Sequence, residues 1–509
     1  MNFQLLTIIL TALYTLAVLF LTAKLLSYDF IITKLIYLGV ALLPIFLIII
    51  ISLQEYWLIL ALVAIIPTSK IPLPLLDALS FSYVINAGIL FLVIAEITIN
   101  KRVDKKVFLQ FPSKAMAILF FWSLARFIYD RPGAGSTGAV GGLSSALPTV
   151  LVGACYFSVL LLALKTEIKK NHIKVLWTCL IILTVEIIYD NIFSYIPLGG
   201  FISIFSSPTA WFIALLAITY PLQKAKETNF KNDVFLMLAT MLIILLSTIS
   251  KNRLPLVSMV VALGFAYFLY GVAIKYIRIL IPAIIIVYTI AIFAPENIPK
   301  SAMRTFSLIT PSYFMNNKNI TKGLGEIGWQ SNWRAELAKI AFMEMKEKPL
   351  TGKGFSFSYS ELYYNAMIAR TGDTALYGGL LSSGGYHNAL LFLGVKLGIP
   401  ITILFIAILL NIYVRFLIFT KRLDNTTIKQ FAVLLSSVFV CMLGQLLTNG
   451  GPIQLFNTSV MLGIMQGIML RETKEEKEEI ADNNKDESLV DSLMIKNIER
   501  KNRLNVHKK

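Results

Sequence analysis

Apolar stretches long enough to cross a bilayer recur along almost the whole chain. The hydrocarbon core is about 30 Å thick and takes roughly 17–25 helical residues to span. Runs of that kind stand at 4–23, 35–52, 56–67, 82–99, 112–128, 147–164, 175–197, 207–222, 234–250, 254–271, 279–294, 390–418, 430–447 and 453–470. The third is short and ends at Pro67, with Pro72 and Pro74 following, so it reads as a re-entrant or interfacial piece as readily as a crossing. With 57% hydrophobic and 15% charged among 509 residues and a mean hydropathy of +0.73, one soluble core could not hide the excess. The expected fold is an all-α polytopic membrane protein of about 12–14 transmembrane helices, with one large, partly helical extracytoplasmic loop between late spans.

A formal net charge of +17 would suggest nucleic acid in a soluble chain, but here the basic residues punctuate the spans. Lys101, Arg102, Lys105 and Lys106 form one basic loop, and Lys165, Lys169, Lys170 and Lys174 the next. Lys224, Lys226 and Lys231, then Lys275 and Arg278, then Lys421, Arg422 and Lys429 continue the series. The positive-inside rule places all of them in the cytoplasm, so the intervening connections face outward. These include the Gly-rich turn 131–142, the link at Gly199 and Gly200, the turn 251–253, and a segment of about 90 residues, too large for a connector. The organisation expected is an N-terminal bundle over 1–294, the large outer loop over 295–386, C-terminal helices over 387–470 and a charged cytoplasmic tail over 471–509. The first run lacks a basic n-region and a cleavage site and reads as a retained helix. Cys155, Cys179 and Cys441 all fall in apolar runs and read as packing residues, neither disulfide partners nor metal ligands.

Within the outer loop, 332–346 has a helical period, with Trp333, Leu337, Ile340 and Ala341 on one stripe and Arg334, Lys339 and Glu344 elsewhere. Lys348, Pro349, Gly352 and Gly354 then signal a helix stop and a tight turn. Of the three histidines, His172 belongs to a cytoplasmic loop and His507 to the tail. His387, where the chain re-enters the bilayer, is left as the outer-face group that titrates near neutrality and as the readiest general base, although a lone histidine at a helix start is more often structural. Arg126, Arg131, Lys251, Arg253, Arg304, Arg334 and Arg370 also fall on the outer side, and guanidinium forks match phosphate oxygens. Each alone reads equally as a headgroup anchor; the cluster is what points to a lipid phosphate or pyrophosphate. Glu186 and Asp190, one turn apart in the seventh run, leave room for a proton-coupled carrier or an acceptor-side acid, and Lys251 or Arg253 could equally make them structural.

The stretch NWRAELAKIAFMEMKEKPLTGKGFSFSY, followed after a gap by YHNALLFLGVKLGIP, resembles the signature of the O-antigen ligase and O-antigen polymerase superfamily. The matching residues are Arg334, Pro349, Leu350, Gly352, Gly354, His387, Asn388, Gly394 and Gly398. Upstream, 202–217 looks like the family's Gly-x-Phe-x-x-Pro segment without its preceding arginine, since Leu198 and Gly199 stand there. The segment 247–261 looks like the one that carries a Ser-Arg pair, with Lys251 and Arg253 near the expected place. The resemblance covers roughly 201–470. It implies a metal-independent, cofactor-free glycosyltransferase of the cytoplasmic membrane whose site faces the periplasm or cell exterior. The donor would be an undecaprenyl-pyrophosphate-linked oligosaccharide and the acceptor a second glycan or lipid A-core, with polysaccharide-export or chain-length proteins as partners and no nucleic acid.

On this reading His387 is the base or acceptor-orienting group, and Arg334 and Arg253 are the foremost pyrophosphate ligands. Lys251, Arg126, Arg304 and Arg370 stand in reserve, while Asn388 fixes the imidazole or caps the following helix. A polymerase, a ligase and a protein O-oligosaccharyltransferase with a pilin-like acceptor share these features, and the polymerase comes first because nothing in the chain points to a lipopolysaccharide acceptor. A flippase or secondary transporter is the reading from another class; it would keep its polar residues near the midplane with short loops, unlike this chain.

Overall fold

A computed structural model of the chain describes residues 54–65, 86, 88–90, 93–94, 105–130, 139–193, 253–273, 277, 281, 285, 289, 337–357, 386, 388–448 and 451–474. Among them there is no strand. In chain order the helices are α1 (Trp57–Ala64), α2 (Phe111–Asp130), α3 (Ala139–Lys165), α4 (Lys170–Phe193), α5 (Arg253–Leu269), α6 (337–347), α7 (Ala389–Leu397), α8 (Ile399–Arg422), α9 (Thr426–Thr448) and α10 (Pro452–Lys474). Five of the described helices are long and apolar enough to cross a membrane: α2, the 146–165 part of α3, α8, α9 and α10. The expectation of an all-α multi-pass membrane protein holds. The runs at 4–23, 35–52, 207–222 and 234–250, most of 82–99 and 279–294, and the tail beyond 474 lie outside the described residues.

Helical phase decides which face meets protein and which meets lipid. On α8, Ile403, Leu410, Val414 and Ile418 are exposed, while Phe405, Ile408, Ile412 and Phe416 are buried. An outward face this apolar suits hydrocarbon, where every backbone group is already bonded within the helix. α9 packs most extensively on α5, α3 lies on α2, and α2 and α7 both pack on α8. α10 crosses α3 at a Gly463-x-x-x-Gly467 stripe: a β-carbon at Gly463 would stand 2.6 Å from the Tyr156 carbonyl oxygen, and one at Gly467 2.5 Å from the Ala163 β-carbon. Small residues at that spacing are what allow two membrane helices to approach so closely. Gln466, between them, accepts from the Tyr156 hydroxyl and donates to Ser113 Oγ at 3.3 Å, so its amide is not stranded in the bundle.

Four expectations about where elements begin, end or break are corrected. The run 390–418 is not one span: it breaks at Gly398, whose φ of +98° no other residue adopts comfortably, into the nine-residue α7 and the membrane-crossing α8. Pro400, in the first turn of α8, fits a helix start. Apolar composition runs straight through the break, so hydropathy does not register it. The Gly-rich turn is shorter than 131–142, because α3 begins at Ala139 and takes in Gly141 and Gly142. His172 is not in a loop but in the first turn of α4, buried, where its Nδ1 accepts from the Lys169 N–H at 3.0 Å and its ring meets Tyr56 edge-on. Arg471 does not open a solvated tail; α10 continues through it, and its buried guanidinium donates to the Thr166 carbonyl at the end of α3.

Candidate functional site

The turn that the sequence marks with Pro349, Leu350, Gly352 and Gly354 is a docking device. The last carbonyls of a helix lack partners within it. Here the Val395 carbonyl accepts from the Lys353 N–H at 2.7 Å, that of Lys396 from the Gly354 N–H at 3.1 Å, and that of Leu397 from Trp122 Nε1 at 3.1 Å. At the head of α8, the Ile399 N–H donates to the Pro349 carbonyl at 2.8 Å. One turn thus serves the end of α7 and the start of α8, and Trp122 ties both to α2. The approach leaves no room for side chains: a β-carbon at Gly398 would lie 2.4 Å from the Leu350 carbonyl oxygen, and one at Gly354 2.2 Å from Arg126 Nη2.

α6 leads into this turn as the sequence predicts, with Leu337, Ile340 and Ala341 buried and Lys339 exposed. Glu344 corrects the pattern. Four residues beyond Ile340 and three beyond Ala341, it falls on the apolar stripe and is 3% exposed. Its charge is balanced by Lys353, which also pairs with Glu347 at 2.7 Å and lies 4.5 Å from the centre of the Phe357 ring. Burial alone would lower the Lys353 pKa, but the two carboxylates outweigh it and hold the ammonium above the ordinary lysine range. α6 meets α7 where Met345 lies against Gly394.

Asn388 caps α7. Its Oδ1 accepts from the N–H groups of Leu390 and Leu391 at 2.9 and 3.1 Å, and its Nδ2 donates to the Leu447 carbonyl of α9 at 3.1 Å. Of the two roles the sequence allows it, capping is the one seen, and it fixes the chain immediately after His387. Tyr386, on the other side of that histidine, is 3% exposed.

Arg126 stands near the end of α2, its Nη2 3.2 Å from Asp130 Oδ1, with a side chain 17% exposed. Asp130 Oδ2 also accepts from the Phe355 N–H at 2.7 Å. Beside them Lys396 is buried; its Nζ donates to the Phe357 carbonyl at 2.7 Å. Burial pushes the Lys396 ammonium down to about 8, against the opposing pull of Asp130. The structure therefore brings Arg126, Asp130, Lys353, Lys396 and the glycine turn together. Arg253 opens α5, with its side chain outside the described residues, as are the side chains of Glu186 and Asp190 on α4. His387, Arg334, Lys251, Arg304, Arg370, Arg131 and Trp333 also lie outside the described residues. Asp130, Lys353 and Lys396 were not singled out from the sequence. The signals were present: an acid four residues after Arg126, a lysine between the two glycines of the turn, and a lone lysine inside an apolar run. Among the described residues no three His, Cys, Asp or Glu side chains stand together as metal ligands would.

No curated protein matches the chain. Residues 236–406, which contain α5, α6, the glycine turn, α7 and the start of α8, match the family model described as O-antigen ligase. The chain is thus a multi-pass membrane protein carrying a domain of the O-antigen ligase family, whose members are ligase- or polymerase-type enzymes acting on lipid-linked glycans.

Proposed function

We propose that the protein is a metal-independent glycosyltransferase that polymerises undecaprenyl-pyrophosphate-linked repeat units at the outer face of the cytoplasmic membrane. The observation that carries this reading is the glycine turn: within the matched domain it ties α6 and α7 together, so that the segment after Arg334 and the capped helix after His387 share one support. In the reaction the acceptor hydroxyl oxygen attacks the anomeric carbon of the donor. The bond from that carbon to the pyrophosphate oxygen breaks, and undecaprenyl pyrophosphate leaves with the electron pair. Pyrophosphate needs charge neutralisation more than protonation, which Arg334, Arg253 and Arg126 supply, with Lys251, Arg304 and Arg370 behind them. His387 takes the hydroxyl proton. The family description favours a second reading, transfer of the finished glycan to lipid A-core.

The test is incubation of the purified protein in detergent with the lipid-linked repeat unit alone, and then with lipid A-core added, with products resolved by size. A ladder of multiples from donor alone supports the polymerase. Product only after lipid A-core is added makes the protein a ligase, and no turnover in either case points to a transporter.

A further inference from the structure

Asp130 lies outside the stretch that matches the O-antigen ligase family, and its local position is unfavourable twice over. It is the last residue of α2, where the helix dipole disfavours negative charge, and its side chain is only 5% exposed. A carboxylate stays charged in such a place when firm donors hold it. Its two oxygens are divided between two of them: Oδ1 faces Arg126 Nη2 at 3.2 Å, and Oδ2 accepts from the Phe355 N–H at 2.7 Å. The same pair fills the space left by the missing side chain of Gly354, since a β-carbon there would come 2.2 Å from Arg126 Nη2 and 2.3 Å from Asp130 Oδ2. The guanidinium is thereby registered against the turn that joins α6 to α7.

Around Phe355 three basic groups, Arg126, Lys353 and Lys396, face three carboxylates, Asp130, Glu344 and Glu347, and they are divided unevenly. Lys353 is taken up by Glu344 and Glu347 on the α6 side. Arg126 and the buried Lys396 remain against the single charge of Asp130, and the buried Nε of Arg126 has no hydrogen-bond partner among the described residues. On the Asp130 side the basic groups outnumber the acid by one, a local excess that suits an anion, and the aim of the guanidinium is set by one carboxylate.

We infer that Asp130 is a positioning residue for glycosyl transfer, holding Arg126 toward the donor pyrophosphate and locking it to the glycine turn; this rests on the function proposed above. Asp130 touches no reacting atom and acts through Arg126.

The experiment measures release of undecaprenyl pyrophosphate against donor concentration for wild type, Asp130→Asn, Arg126→Ala and the double variant. Asparagine keeps an acceptor for the Phe355 N–H and removes the charge that orients the guanidinium. The expected result is a donor KM about tenfold higher in Asp130→Asn with a smaller change in kcat, and no further rise when the substitution is added to Arg126→Ala. An unchanged KM, or the same rise in both backgrounds, overturns the inference and makes Asp130 a structural tie. Should Asp130→Asn not fold, Asp130→Glu keeps the charge and displaces it by one methylene; a raised KM there supports the inference, and a wild-type KM overturns it. Absence of any release by the wild type overturns the function itself, whereas release with unaltered KM in the variants overturns the role of Asp130 alone.

Discussion

At the scale of single residues, the largest energies in the described structure sit in charges that have left water. Glu344 and Lys353 are both largely buried, and removing one partner of such a pair typically costs about 3–5 kcal/mol, because the other is left uncompensated. Lys353→Met should therefore lower stability by that order, and Lys353→Met with Glu344→Gln by much less; thermal unfolding in detergent measures both. The pair also has a pH signature. Because the folded-state pKa of Lys353 lies above the ordinary 10.5, its contribution is complete at neutral pH and is lost only as pH rises through that higher value. The sequence revealed these residues unevenly. Arg126 and Asn388 could be singled out because a basic residue at a span end and an asparagine before an apolar run carry meaning alone. Glu344, Asp130 and Lys396 take theirs from partners 9, 225 and 39 residues away in the chain, Lys353, Phe355 and Phe357, and no local pattern encodes that.

Between residue and molecule, the break at Gly398 separates the helix beside the candidate site from the helix that crosses the membrane. Hydropathy finds α8 because length and apolarity define a crossing, but it cannot find a change of direction that adds no polar residue. What marks the break is Gly398 followed by Pro400, a pair that an apolar run of expected length easily hides. An L side chain at φ +98° is strained by about 1–3 kcal/mol, and its β-carbon would meet the Leu350 carbonyl. Gly398→Ala is expected to undock the glycine turn from α7 and to cost more activity than stability, read by comparing donor turnover with the unfolding midpoint. The α3–α10 crossing supplies a contrasting case away from the site. Gly467→Ala places a methyl 2.5 Å from the Ala163 β-carbon, an overpacking worth about 1–3 kcal/mol. It should lower the unfolding temperature while leaving donor KM at the wild-type value.

Seen whole, the molecule is a bundle whose membrane character was the most legible property of its sequence, since the cost of exposing backbone to hydrocarbon leaves a helical chain few alternatives. The spans expected at 112–128, 147–164, 430–447 and 453–470 correspond to α2, α3, α9 and α10 within a few residues at most ends. The site was less legible, because it is assembled from α2, α6, α7 and their connecting turn, which the chain separates by up to 275 residues in the Trp122 to Leu397 contact. On the proposed function, this assembly serves a transfer reaction in which His387 removes the acceptor proton. The most direct test is the rate of undecaprenyl pyrophosphate release from a lipid-linked repeat unit by purified wild-type protein and by His387→Ala at equal folded concentration. Release by the wild type and a loss of about 10²–10⁴-fold in the variant are expected. Equal rates in the two proteins, or no release by the wild type with donor and acceptor both present, would contradict the proposal.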